Sequence, residues 1–122
     1  MKSTGVDTKG YSQIIDYLYE LMQSNPNMAR KAIANISILP HKFYAKQDIK
    51  LINYKAFKLY ELKVQSNSNI CRFFFVLERP NIIVLYGFTK KTQKTDKKDL
   101  KAGVNALKEY IENKNTIPFN LL

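Results

Sequence analysis

Phe57-Lys58-Leu59-Tyr60-Glu61-Leu62-Lys63-Val64, Ile70-Cys71-Arg72-Phe73-Phe74-Phe75-Val76-Leu77 and Ile82-Ile83-Val84-Leu85-Tyr86-Gly87-Phe88 follow one another with only short polar separators. Each run is rich in β-branched and aromatic residues and bounded by turn chemistry, the pattern of a strand. The separators Gln65-Ser66-Asn67-Ser68-Asn69 and Glu78-Arg79-Pro80-Asn81 are of hairpin length. The three runs therefore predict an antiparallel meander. Alternation in the first places Lys58, Tyr60, Leu62 and Val64 on one face and Phe57, Leu59, Glu61 and Lys63 on the other.

On the N-terminal side, Ile14, Ile15, Leu18, Leu21 and Met22 recur at helical spacing behind Ser12, a residue suited to cap a helix. Ser24-Asn25-Pro26-Asn27 breaks that helix, and Asn25-Pro26 opens a second with Met28, Ala29, Ala32, Ile33 and Ile36 facing inward. From Leu39 to Lys55 the pattern is lost. Pro40 and a mixed composition predict a long connection with a short strand near Ile49 to Ile52. On the C-terminal side, Thr95 or Asp96 caps a last helix whose inward residues are Leu100, Val104, Leu107 and Ile111, with Asp99 in its first turn. The first ten residues carry no apolar strand and are expected to lie outside the ordered body. The expected fold is α+β, an N-terminal helical hairpin packed on a curved antiparallel sheet of three to four strands, with a C-terminal helix. A chain of 122 residues, 45% of them hydrophobic, has material for one core, so residues 1–122 are read as a single domain.

Twenty Lys and Arg stand against ten Asp and Glu, a formal charge of +10. Solubility alone does not require so large an imbalance, and it points to an anionic partner. Residues 1–40 carry four positive and three negative side chains, whereas residues 41–122 carry sixteen and seven, so the binding surface is expected in the later two thirds. No apolar run is long enough to span a bilayer and no signal core follows the N-terminus, which predicts a cytoplasmic protein with no membrane partner. Cys71 is the single cysteine; it admits no internal disulfide and, within its apolar run, reads as a packed thiol.

The densest chemistry lies where the third strand runs out as Gly87-Phe88-Thr89-Lys90-Lys91-Thr92-Gln93-Lys94-Thr95-Asp96; six of the twelve residues from 90 to 101 are lysine. Lysines packed this closely repel one another, and a phosphate backbone removes the repulsion. A solubilising helix start is the plainer reading of the same residues. Arg72, inside an apolar strand, must reach water, a carboxylate or a ligand anion. Glu61 is the structural partner within reach of the pattern, and a phosphate is the functional one. Tyr60, Tyr86 and Phe88 offer faces on which bases stack. His41, the single histidine, is open to a general-base role but reads more readily as a loop or capping residue. No phosphate loop, nucleophile elbow or metal cluster is present in the pattern, so no cofactor or metal is expected.

Leu59-Tyr60-Glu61-Leu62-Lys63-Val64, then Arg72-Phe73-Phe74-Phe75-Val76, then Leu85-Tyr86-Gly87-Phe88-Thr89-Lys90-Lys91-Thr92-Gln93-Lys94-Thr95 resemble, in that order, the phage-derived branch of the RelE/HigB toxins. The resemblance covers about residues 56–112. It implies a toxin of a type II toxin–antitoxin system, an endoribonuclease that cuts messenger RNA at the ribosome by activating the 2′-hydroxyl against the adjacent phosphate, without a metal. It also implies a cognate antitoxin, usually a small helix-turn-helix protein. Under that resemblance Arg72, Lys63 and Lys91 are the catalytic cations, and Lys58, Tyr60, Tyr86, Lys90, Lys94 and Lys97 are RNA contacts. The chain departs from the family pattern at Lys63, where an arginine is usual, at Asp96, where a proline is usual, and in lacking an apolar first strand. The rival readings are a non-catalytic nucleic-acid-binding regulator, a catalytically weakened toxin homologue and the gyrase-poisoning branch of the same superfamily, which shares the fold.

Overall fold

The computed structural model describes residues 3–6, 13–42, 48–78, 81–90, 96–114 and 116–118. The elements run β1 (Ser3–Val6), α1 (Gln13–Ser24), α2 (Pro26–Lys42), β2 (Ile49–Tyr54), β3 (Phe57–Ser66), β4 (Asn69–Glu78), β5 (Asn81–Thr89), α3 (Lys97–Asn113) and β6 (Thr116–Pro118). The meander from β2 to β5 is antiparallel throughout, and the α+β arrangement of helical hairpin, sheet and C-terminal helix is the one the pattern predicts.

The sheet is wider than expected. Its order is β2-β3-β4-β5-β1-β6, with β1 parallel to β5 and antiparallel to β6. The first ten residues thus contribute a strand after all. Ser3-Thr4-Gly5-Val6 has no alternation to read, because backbone pairing of Ser3, Thr4 and Gly5 with Ile82, Ile83 and Val84 defines it.

Asn25 joins the two N-terminal helices. Its N–H donates to Leu21 O at 2.7 Å, closing α1, while its side-chain oxygen accepts from Met28 N–H at 3.2 Å and caps α2. Ile14, Leu18 and Leu21 of α1 and Met28, Ala29, Ala32, Ile33, Ile36 and Leu39 of α2 are buried against Leu62, Val64, Cys71, Phe73, Phe75, Ile82 and Val84. The connection expected from Leu39 begins later, since α2 continues through Pro40 to Lys42. Leu39 is fully buried and holds that last turn on the core although Pro40 supplies no N–H. His41 falls in the same turn. Ser12 and Thr95, two of the proposed caps, lie outside the described residues; Asp96 takes the N-cap position of α3 with no side-chain cap bond.

Helix α3 covers the opposite face, with Val104, Leu107 and Tyr110 buried on Leu59, Phe74, Ile83, Leu85 and Phe88. Ile111, expected inward, is 53% exposed, and Tyr110 takes its place. The phenol of Tyr110 is held by Glu78, which also pairs with Lys114 at 3.0 Å. Burial first, then the carboxylate, pushes that phenol up to about 12.

Between β4 and β5 the register shifts at Phe74/Phe75: Phe74 faces Tyr86, and Phe75 faces Val84. Leu85 is the extra residue of a bulge. Ile82 and Val84 lie on the α1/α2 face, whereas Leu85 and Tyr86 both join the α3 face. Gly87 follows, clamped by the Gln13 side chain, whose amide N–H donates to Gly87 O at 2.7 Å and whose oxygen accepts from Gly87 N–H at 2.9 Å.

Gly103 lies against Phe74, so close that an added Cβ would stand 2.6 Å from Phe74 Cδ2. Gly103→Ala gains about 1 kcal/mol of helix propensity and loses about 1–3 kcal/mol to overpacking. The expected net result is a lower thermal midpoint in circular dichroism.

Cys71 is fully buried beneath Tyr17, whose hydroxyl shares a 2.5 Å hydrogen bond with Thr89 Oγ1. Burial pushes the Cys71 thiol from 9.0 up to about 12 and holds the Tyr17 phenol well above its ordinary range. Both groups keep their protons more tightly folded than unfolded. Their contribution to stability is therefore complete below pH 9 and is lost as the pH rises towards 12. Urea midpoints are expected to fall between pH 8 and pH 11, less steeply in Cys71→Ala, and the native thiol is expected to resist a thiol reagent at pH 8 until urea unfolds the chain.

Candidate nucleic-acid interface

The register assembles the site on the α3 face. Lys63 on β3 stands opposite Arg72 on β4, which stands opposite Phe88 on β5; one row along, Lys50, Glu61, Phe74 and Tyr86 stand side by side across β2, β3, β4 and β5. Strand alternation alone would send Tyr86 and Phe88 to the other face with Ile82 and Val84. The extra residue at Leu85 turns them onto the side of Arg72. A glycine inside a strand pattern, here Gly87, was the one sequence signal for such an irregularity.

Arg72 and Glu61 form an ion pair, Nη1 to Oε1 at 3.0 Å, with 2% and 3% of each side chain exposed. Of the two partners open to Arg72 from sequence, the structural one is the one seen. The cations nearest to solvent are others. Lys63 is half-buried directly across from Arg72, Lys50 is exposed beside Glu61, and Lys97, Lys98 and Lys101 are exposed along the first turns of α3. Lys90 leaves β5 with its N–H bonded to Ile70 O at 3.0 Å, and its ammonium pairs with the exposed Asp96. Asp96, one of the departures from the toxin pattern, thus sits on a site cation. Tyr86 donates from its hydroxyl to Asp99 at 3.4 Å, which ties the sheet to the first turn of α3.

The fold separates the residues nominated from sequence. Lys63, Arg72, Tyr86, Lys90 and Lys97 gather around the junction of the sheet with the start of α3. Tyr60 belongs to the opposite face, where its ring stacks on Phe75 at 5.5 Å and packs against the α1/α2 core; Lys58 shares that face by alternation. Those two do not join the site. Lys91 and Lys94 lie outside the described residues. Lys50 was missed in sequence because it sits in the segment without a pattern, and only its pairing with Glu61 reveals its place.

The arrangement offers ammonium groups and an aromatic edge around a fixed guanidinium. A carboxylate or phosphate oxygen arriving here meets Lys63, Lys90 and the α3 lysines before it meets Arg72. Among the described residues, no three His, Cys, Asp or Glu side chains stand close enough together to hold a metal ion, and no helix is long and apolar enough to cross a membrane.

A family model described as phage derived protein Gp49-like (DUF891) matches residues 17–108, a span that includes most of α1, all of α2 and β2 to β5, and most of α3. No curated protein matches the chain.

Removing one partner of a buried ion pair leaves the other charge without compensation, at about 3–5 kcal/mol. Arg72→Ala is expected to lose stability of that order in urea denaturation. The double variant Glu61→Gln/Arg72→Met, which leaves no charge behind, is expected to recover most of it.

Proposed function

The chain belongs to the phage derived Gp49-like family, a family associated with RelE-like toxins, and from that premise we propose that it is the toxin of a type II toxin–antitoxin pair. Its activity in this reading is that of a cytoplasmic, ribosome-dependent endoribonuclease that cuts messenger RNA without a metal and is silenced by a cognate antitoxin, a small helix-turn-helix protein. The observation that carries the reading is the convergence of Lys63, Arg72, Tyr86, Phe88 and Lys90 on one face at the start of the lysine-rich α3.

In the proposed reaction the 2′-hydroxyl proton passes to water, a bond forms from the 2′-oxygen to phosphorus, and the bond from phosphorus to the 5′-oxygen breaks as that oxygen takes up a proton from water. Negative charge grows on the phosphoryl oxygens, and fixed cations stabilise it. Lys63 and Lys90 are assigned the direct contacts. Arg72, held by Glu61, anchors the strands behind them and fixes the Lys63 side of the site. Tyr86 and Phe88 are assigned to base stacking.

The second reading, a regulator that binds nucleic acid without cutting it, is favoured by the burial of Arg72 in its ion pair. Primer extension on a defined transcript in a purified translation system separates the two. The toxin reading expects discrete cuts that require ribosomes and that fall by about 100-fold in Lys63→Ala, with that variant folded. Intact transcript from a soluble protein that still binds RNA overturns it in favour of the regulator.

A further inference from the structure

At the other end of the α3 face, the β2–β3 hairpin meets the middle of α3 in a shallow cleft lined by Tyr54, Lys55, Phe57, Lys101, Asn105 and Lys108. Phe57 and Lys63 lie six residues apart on β3, roughly 20 Å at strand rise, so this cleft is remote from the site above. Its volume of about 80 Å³ is far below the ~300 Å³ at which pockets begin to enclose small molecules. It suits one unit of a longer ligand lying across it.

Three features mark it as built for an anion with flat rings. Among the described residues, Lys55, Lys101 and Lys108 stand in no ion pair, in contrast to Lys90 and Lys114. Two of these ammonium groups are held over aromatic rings, Lys108 5.4 Å from the Phe57 centroid and Lys55 5.5 Å from that of Tyr54, so cations and ring faces occupy the same opening. Lys55 itself has φ 54°, in the same two-residue loop position that Asn67 fills with φ 55° in the next hairpin. Asparagine tolerates that left-handed conformation; lysine is strained in it. A cation stands where the backbone favours Asn or Gly.

The cleft is also connected to the site. Lys97, Lys101, Asn105 and Lys108 are all exposed and, at spacings of 4, 4 and 3, form one stripe along α3. That stripe is about 16 Å long at helical rise.

We propose that this stripe and cleft form a second contact for single-stranded RNA, in which phosphates follow Lys97, Lys101 and Lys108 and one base stacks on Tyr54. Single strands are bound in this way, by a basic track with aromatic platforms. The identity of the strand as RNA rests on the reading of the preceding subsection; the cleft's recognition of phosphate together with a base does not.

The test is fluorescence anisotropy with a short labelled oligoribonucleotide and the full chain, over a range of salt, with inorganic polyphosphate as a ring-free anion. Tyr54→Leu keeps apolar bulk in the half-buried position and removes the flat ring. It is expected to weaken RNA binding roughly tenfold at every salt concentration while leaving polyphosphate binding unchanged, and Tyr54→Phe is expected to restore it. Lys108→Ala is expected to flatten the salt dependence by about one unit of slope. Equal RNA affinity for wild type, Tyr54→Leu and Lys108→Ala, with unchanged circular dichroism, overturns the proposal. Because no ribosome or cleavage enters this assay, binding that depends on Tyr54 without any cleavage sinks only the toxin reading, and cleavage with unaltered binding sinks only this one. Ribosome pelleting identifies the strand: a Lys108→Ala deficit without transcript assigns it to ribosomal RNA, and a deficit confined to programmed ribosomes assigns it to the message.

Discussion

Strand β4 is covered on both faces, and the rest of the molecule is arranged around that constraint. Cys71, Phe73 and Phe75 face the helical hairpin, while Phe74 faces α3. Arg72 is the charged residue among these buried positions. A guanidinium in such a place needs a counter-charge with good geometry, and Glu61, one strand over and diagonal to it, supplies one at 3.0 Å. Lys63 stands directly across from Arg72, an arrangement that is unfavourable by itself because like charges oppose each other in the ladder. Glu61 offsets it, so the carboxylate allows two cations to share one patch of sheet.

The bulge at Leu85 is the second determinant. It reverses the alternation of β5 and brings Tyr86 and Phe88 over to the charged row, where the Phe74, Tyr86 and Phe88 rings lie 5.3–6.4 Å apart. The same reversal sends Gly87 towards α1, where an added Cβ would come within 2.8 Å of Ile14 and Tyr17. Only a glycine permits that approach, and Gln13 then takes up both backbone groups of Gly87. The start of α1 and the aromatic side of the site are thereby tied to one residue.

Much of this was legible in the sequence, for physical reasons that also explain the rest. The meander and the helical hairpin announce themselves because their burial is one-sided or their apolar runs are bounded by turn residues. Asn25 before Pro26 marks the helix junction by a backbone mechanism that needs no tertiary context. The short β1 carries no such mark, since its pairing is made by main-chain groups. The last turn of α3 was misread because Tyr110 and Ile111 are both apolar enough to face inward, and the polar anchor at Glu78 that selects Tyr110 is distant in sequence. In the site, strand parity correctly divides Lys58 and Tyr60 from Glu61 and Lys63. Carrying parity through β5 fails at Leu85, since a bulge is a property of two paired strands and not of either run alone.

The energies of the two ion pairs at the site divide its work. The pair between Lys90, 16% exposed, and Asp96, 65% exposed, is open to solvent on the carboxylate side and is weaker than a fully buried pair. Opening the Arg72–Glu61 pair costs several times more, because it strands a buried charge. In the proposed reading an arriving anion is met by Lys90, Lys63 and the exposed α3 lysines, while Arg72 stays in its pair with Glu61. In that reading Asp96 competes with the ligand for Lys90. Asp96 is 65% exposed, so the displacement proposed there is a weak and salt-dependent step, whereas the buried Arg72–Glu61 pair is shielded from salt.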